Sequence, residues 1–498
     1  MGKDKIIMLK NIDFLKIKHL IFAIFSFISA YLYLKVTNDI FAVIFIFLAI
    51  IIFAFLLLNK KWIIYGIILT LFLEGHKFSF YLFGARIRII QVIEVMGIFY
   101  IVLSFLLGKY RIRKTPLDLP LWSYLGVNFL AITNAVWFTR SVKISVLLLS
   151  LALLCYLVYS IITTKEIFDK SFKLLLYIGV VEIIYGIYQV VAGMLNYYLG
   201  TNLSIGYLGI VHTDFIGSPW GRPYGTFVEP DWYGIICMFY ALVFMYIYYS
   251  KVKIRKSFYL GGFILSLIGL FFSFVRSAWV GFIFGCLFFL ANKYRHRIKI
   301  NFSIFVRDTL VFIVFCITVV LLSPSLQNVI KERFFTKYVG AAFSFENVRV
   351  QQIITSLEAF LRKPILGNGP GSSAFNYFKK TTGKEIISRE DMNSPELAGF
   401  NPSLIITVLE DTGLIGLFLF FVLIFKIVRL YYRQVRLLDQ RYSVIATALF
   451  GGLIGLFISY FFTSGFWLPF TWVFLAFSIS VLKIGKTTGI ENCYVEQK

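Results

Sequence analysis

The run Val142–Thr163, VKISVLLLSLALLCYLVYSIIT, carries a single charge, Lys143, and exceeds the roughly 20 apolar residues that take a helix across a bilayer. Phe41–Leu58, Leu174–Gly193 and Thr309–Ser323 approach or exceed the same length, and similar runs recur along nearly the whole chain. Of 498 residues, 59% are hydrophobic, 19% aromatic and only 15% charged, which leaves too little polar surface for a soluble globule. The sequence therefore specifies an all-α, polytopic helical membrane protein.

A formal charge of +24 would suggest nucleic acid as a partner of a soluble protein. Here the basic residues concentrate in short connections between apolar runs, so positive-inside bias is the simpler account and no nucleic-acid partner is expected. Lys60-Lys61, Lys109–Lys114, Lys165–Lys173, Lys251–Lys256, Lys293–Arg307, Arg429–Arg441 and Lys483–Lys486 fall in alternate loops, on the same side as the lysine-rich N-terminal stretch. Placing that side in the cytoplasm gives roughly 12–14 transmembrane helices with both termini inside. The expected spans are 20–35, 40–58, 62–74, 89–108, 118–137, 142–164 and 173–194, followed by 233–250, 257–275, 277–292, 308–323, 402–428, 443–461 and 466–482. The segment after Lys3, Lys5, Lys10, Lys16 and Lys18 has no small-residue cleavage site and is expected to be a retained span. Cys155, Cys237, Cys286, Cys316 and Cys493 are scattered singly, without metal-ligand or disulfide spacing.

This topology divides the chain into an N-terminal bundle (1–194), a first long outer loop (195–232), central helices (233–323), a large outer loop (324–401), C-terminal helices (402–482) and a tail (483–498). Long loops in a compact protein usually carry function. The larger loop contains Asn347–Leu361, where Val348, Ile353, Ile354, Leu357, Phe360 and Leu361 recur near helical spacing until Lys363-Pro364 ends the run. An amphipathic helix that lies on the membrane or lids a cavity is expected there. The following GNGPGSSAFNYF and the polar stretch Lys379–Glu396 read as irregular chain.

Three arginines lie just outside apolar runs on this outer side: Arg222 in GRPYGTFVEP, Arg276 in SFVRSAWVG and Arg349 in ENVRVQQ. A guanidinium stays charged at a membrane edge and offers paired donors to phosphate, so the trio suggests a grip on an anionic, lipid-linked ligand. Each has a plainer alternative. Arg276 would snorkel at a two-residue turn, Arg222 would pair with Glu229 or Asp231, and Arg349 would be solvated at a helix start. Glu410 and Asp411, inside an apolar run, are expensive unless paired or lining a wet cavity.

In order along the chain, Arg222-x-x-Gly225-Thr226-Phe227, Arg276-Ser277-Ala278, an Arg349-led helix running into Lys363-Pro-Ile-Leu-Gly-x-Gly-x-Gly371, and Glu410 before Gly413-Leu-Ile-Gly416 resemble the O-antigen polymerase and O-antigen ligase family of bacterial membrane glycosyltransferases. The resemblance covers roughly residues 200–430 in motifs and the whole chain in architecture. Ligases of that family carry a histidine nine residues and one small polar residue before Gly-x-x-Gly. Pro402-Ser403 stands there in this chain, which favours a polymerase.

The resemblance implies a multi-pass protein of the bacterial cytoplasmic membrane with an extracytoplasmic active site. It implies a polyprenyl-pyrophosphate-linked oligosaccharide as donor and a lipid-linked acceptor, with a chain-length regulator and a flippase as further partners. Arg222, Arg276 and Arg349 would bind the pyrophosphate, and Glu229, Glu410 or Asp231 would act as base. His212, near Asp214, is a weaker substitute for the missing histidine. Gly225, Gly369, Gly371 and Asn401 would shape the loops around the glycan, and Tyr207, Trp220, Tyr224, Trp232, Phe375 and Tyr377 are candidates to stack on sugars. The Gly367, Gly369, Gly371 series lacks the flanking strand and Lys-Ser/Thr of a nucleotide loop. No carboxylate cluster has metal-ligand spacing, so no cofactor and metal-independent chemistry are expected. The alternatives are a ligase that moves finished glycan to a lipid or protein, and a lipid-linked oligosaccharide flippase.

Overall fold

The computed structural model describes residues 60–73, 79–82, 85–108, 114–203, 220–250, 256–295, 323–330, 348–384, 403–463 and 465–486, with scattered helical positions between 307 and 321. The helices run α1 (Lys60–Thr70), α2 (Ile89–Leu106), α3 (Asp118–Ala131), α4 (Phe138–Ile161), α5 (Lys165–Leu199), α6 (Pro230–Tyr249) and α7 (Lys256–Ser273). They continue as α8 (Arg276–Arg295), α9 (Pro324–Ile330), α10 (Val348–Arg362), α11 (Ser372–Thr382), α12 (Leu404–Gln434), α13 (Gln440–Ser459) and α14 (Pro469–Ile484). A small antiparallel hairpin, β1 (Ser79–Leu82) and β2 (Ala85–Arg88), precedes α2 with Ser79 opposite Arg88. Among the described residues seven helices, α2, α4, α5, α6, α7, α12 and α13, are long and apolar enough to cross a membrane. The architecture is that of a predominantly helical, polytopic membrane protein. The expected spans 20–35 and 40–58, and most of 308–323, lie outside the described residues.

Helix α6 forms the centre, buried along nearly its whole length and packed by α5, α7, α8 and α13. Its aromatic rings meet glycines and polar backbone rather than lipid. Tyr233 and Tyr240 donate their hydroxyls to the carbonyls of Ile183 (2.9 Å) and Leu175 (2.8 Å) on α5, which satisfies polar groups that have no water to turn to. Those rings cross α5 at Gly186 and Gly179, where a methyl group would come within 2.2 and 2.1 Å of ring carbons. On the far side Phe239 stacks on Phe474 of α14, with ring centres 3.8 Å apart.

The basic stretch Lys165–Lys173, expected as a loop, is instead the opening of the 35-residue α5. Thr164 caps it by accepting the Ile167 N–H, and Glu166 in the first turn suits the positive end of the helix. The ends of the helices on this basic face are tied by Lys165–Asp439 (2.8 Å) and Arg441–Asp169 (3.1 Å).

Gly413 divides α12. Its φ of 64° and ψ of −162° are open to glycine alone, and the break strands the Glu410 and Asp411 carbonyls and the Leu414 and Ile415 amides. The segment after α10 supplies all four partners. The N–H groups of Asn368 and Gly369 donate to Glu410 O (2.8 Å) and Asp411 O (3.0 Å), while Leu414 and Ile415 donate to Pro364 O (2.9 Å) and Ile365 O (3.4 Å). GNGPG, read from sequence as irregular chain, thus packs into the broken helix. The residues after it, also expected to be irregular, form α11.

Candidate active site on the face opposite the basic ends

Residues Arg222–Asp231 are shaped from below by α5. The Gln189 side chain accepts the N–H groups of Tyr224 and Gly225, both at 2.9 Å, and its amide donates to Gly225 O at 3.1 Å. Two helical turns earlier, Glu182 accepts the Thr226 N–H at 2.7 Å on one oxygen and the Thr226 hydroxyl at 2.8 Å on the other. Gly225 has a φ of 59°, and a Cβ there would lie 1.9 Å from Oε1 of Glu182. Phe227, fully buried, pins the segment edge-on against Phe72 and Phe470.

With the loop fixed in this way, Arg222 points its Nε at Ser273 O (3.1 Å) and its terminal nitrogen at Asp231. Arg349, at the start of α10, reaches the other oxygen of Asp231 at 3.6 Å. Asp231 lies in the first turn of α6, after Glu229 as N-cap and Pro230, where a carboxylate is stabilised by the helix dipole. Glu229 keeps an exposed edge, yet protein crowds its carboxyl and the Asp231 charge stands nearby. Both push its pKa up from the usual carboxylate range, with burial the larger cause, and Arg349 and Arg222 work against the rise.

Ser273, which accepts from Arg222, begins the turn that presents Arg276. Phe274 holds a left-handed φ of 52°, a conformation that non-glycine residues rarely adopt. Arg276 follows as the exposed first residue of α8, a cation at the positive end of a helix. A helix N-terminus attracts anions, so the helix end and the guanidinium together suit an anionic group. The structure therefore joins Arg222, Arg349, Asp231 and Glu229, and ties Arg222 to the Arg276 turn. Of the plainer alternatives, the Arg222–Asp231 pair is present.

Glu410 and Asp411 form a second polar cluster at the α12 break. Asn376 of α11 donates to Glu410 Oε1 at 2.6 Å, and Ser372 donates its hydroxyl (3.1 Å) and backbone N–H (3.3 Å) to Asp411 Oδ1. Ser356 of α10 also reaches Glu410. Arg140 of α4 lies beside Gly371 and within electrostatic reach of Asp411, with its guanidinium 5.2 Å from the centre of the Trp137 ring. Gly369 and Gly371 allow this approach, since a Cβ on Gly369 would lie 2.7 Å from Ala135 and one on Gly371 3.0 Å from Ile144.

Sequence reasoning missed Glu182, Gln189, Arg140 and Asn376. The signal for the first two was present, since they recur seven residues apart within an apolar run. Of the sugar-stacking candidates, Trp220 is buried in a stack with Phe272, Tyr377 is buried, and Phe375 pairs with Trp137 at 6.4 Å. Asn401, His212, Asp214 and Tyr207 lie outside the described residues. Among the described residues, no three His, Cys, Asp or Glu side chains gather as a metal-ligand set.

Residues 261–421 match the family model described as O-Antigen ligase, a stretch that includes Arg276, Arg349, Glu410 and the Gly413 break. No curated protein matches the chain at a significant level. Residues 261–421, carried on a multi-pass helical membrane scaffold, are therefore similar to the O-antigen ligase family.

Proposed function

We propose that the protein is a polysaccharide polymerase that transfers a growing polyprenyl-pyrophosphate-linked glycan onto a lipid-linked repeat unit at the outer face of the cytoplasmic membrane. The observation that carries this reading is the convergence of Arg222 and Arg349 on Asp231, beside the turn that presents Arg276 at a helix N-terminus. Three guanidinium groups with fork-shaped donors suit the two phosphates of the donor. Asp231 holds two of them in place before substrate arrives.

In the proposed reaction an acceptor hydroxyl attacks the donor's anomeric carbon. The new glycosidic C–O bond forms as the bond to the pyrophosphate oxygen breaks. The hydroxyl proton passes to Glu229, whose raised pKa suits a general base, and the arginines stabilise the charge that gathers on the departing polyprenyl pyrophosphate. Glu410 is the weaker base candidate. Ser356, which reaches it, is seven residues along α10 from Arg349, about 10 Å of helix at about 1.5 Å per residue, whereas the anomeric carbon is bonded directly to the pyrophosphate.

The absence of a histidine at Pro402-Ser403 favours chain growth over ligation, while the family description itself favours a ligase as the second reading. Incubating purified protein with a polyprenyl-pyrophosphate repeat unit, without nucleotide sugar, separates them. A product ladder with release of polyprenyl pyrophosphate supports the polymerase. Single transfer to a different lipid or protein acceptor, without extension, supports the ligase and overturns the polymerase.

A further inference from the structure

The polar cluster at the α12 break stands apart from the three arginines and has a different chemistry. Trp137 and Phe375 are half-buried rings 6.4 Å apart, inclined at 51°. Arg140 lies over Trp137, and Asn376 hydrogen-bonds Glu410. The same two helices, α4 and α11, carry buried hydroxyls with no hydrogen-bond partner. The hydroxyls of Ser141 and Ser145, one helical turn apart on α4, are fully buried without a hydrogen bond, and so is that of Ser373, which is 6% exposed. Ser141 Oγ faces Gly369, 3.0 Å from where a Cβ would stand, and so points toward the segment that plugs the helix break. An unmade hydrogen bond at a buried hydroxyl is costly, and Ser141, next to Arg140 and aimed at the Gly369 segment, is one that a ligand hydroxyl would satisfy.

We infer that Trp137, Arg140, Phe375, Asn376, Glu410 and Asp411 form a subsite for a neutral sugar ring, which on the proposed reading is the acceptor glycan. Aromatic faces take the apolar C–H side of a sugar, while carboxylate, amide and guanidinium groups take its hydroxyls. A single guanidinium beside two acidic side chains is a poor phosphate site next to the three-arginine cluster, so the donor's pyrophosphate and the acceptor's sugar are sorted between two sites. Helix α10 spans both, with Arg349 at one and Ser356 at the other.

The test uses full-length protein in lipid nanodiscs and a panel of methyl glycosides of common hexoses, deoxyhexoses and N-acetylhexosamines, read by saturation-transfer NMR. Retention of sugar-free polyprenyl pyrophosphate is measured in parallel. At least one glycoside is expected to bind wild type, and Trp137→Ala and Asn376→Ala each to weaken it at least about fivefold. Trp137→Phe should retain most of the signal, and Arg222→Ala should lose the lipid pyrophosphate while keeping the sugar. Failure of every glycoside to bind, or binding indifferent to Trp137→Ala and Asn376→Ala, overturns the subsite. Sugar binding that depends on Trp137, alongside pyrophosphate retention indifferent to Arg222→Ala, supports the subsite and removes the clamp from the proposed function.

Discussion

Gly225 lies so close to Glu182 that a single added methyl carbon would come within 1.9 Å of the carboxylate oxygen that also holds Thr226. The arginine-bearing loop is therefore built on a buried acid in a membrane helix, and the glycine is required both by its φ of 59° and by the space available. Gly225→Ala should lower stability by about 1–3 kcal/mol and abolish transfer. Thermal unfolding in detergent together with a transfer assay checks both, and an active, equally stable variant contradicts the packing account.

Asp231 accepts a hydrogen bond from Arg222 on one oxygen and forms an ion pair with Arg349 on the other. Asp231→Asn keeps the shape and removes the charge, so both guanidiniums lose their anchor before substrate binds. The affinity for polyprenyl pyrophosphate should fall modestly, while Arg222→Lys, which replaces a planar fork with a point charge, should cost at least about tenfold. Equal affinity in Arg222→Lys and wild type would argue that the phosphates do not meet this arginine.

The raised pKa of Glu229 sets the pH dependence. A base must be unprotonated to work, so the rate should rise with pH through this group's pKa, at a higher pH than an ordinary glutamate with pKa about 4.3 would give. Arg349 holds that pKa down, hence Arg349→Ala should move the acidic limb of the rate profile further up. Glu229→Gln should remove the limb along with most of the activity. A limb unmoved by Arg349→Ala would separate Glu229 from the titration.

At the α12 break, a Cβ on Gly413 would come 2.3 Å from Ile365 O in a backbone conformation reserved for glycine. Gly413→Ala should expel the Pro364–Gly369 segment from the break and cost about 3 kcal/mol or more. Faster proteolysis between α10 and α11 would report the release, and unchanged cleavage would show that the segment is held elsewhere.

The helices were legible because a bilayer demands long apolar runs, and Val142–Thr163 or Gly413-x-x-Gly416 announce themselves without any partner. The Arg222, Arg276 and Arg349 motifs were legible for the same reason, as charges where hydrocarbon is the rule. What stayed hidden depends on pairing across the fold. Gln189 reads as one polar residue in an apolar run until Tyr224 and Gly225 are seen to donate to it. Asn368 and Gly369 read as a turn until the carbonyls stranded by Gly413 give their amides a use. Ser372 opens a helix inside a Gly/Ser-rich stretch because Asp411, distant in sequence, accepts its N–H and hydroxyl.

On the proposed reading, Arg222 and Arg276 hold the donor's pyrophosphate as the glycosidic bond changes hands. The most direct measurement is polymer length made from a polyprenyl-pyrophosphate repeat unit by wild type, Arg222→Ala and Arg276→Ala, each first shown to be folded by its thermal unfolding midpoint. Wild type should give a ladder, and neither variant should extend the chain. Ladders of wild-type length from both variants would contradict that reading.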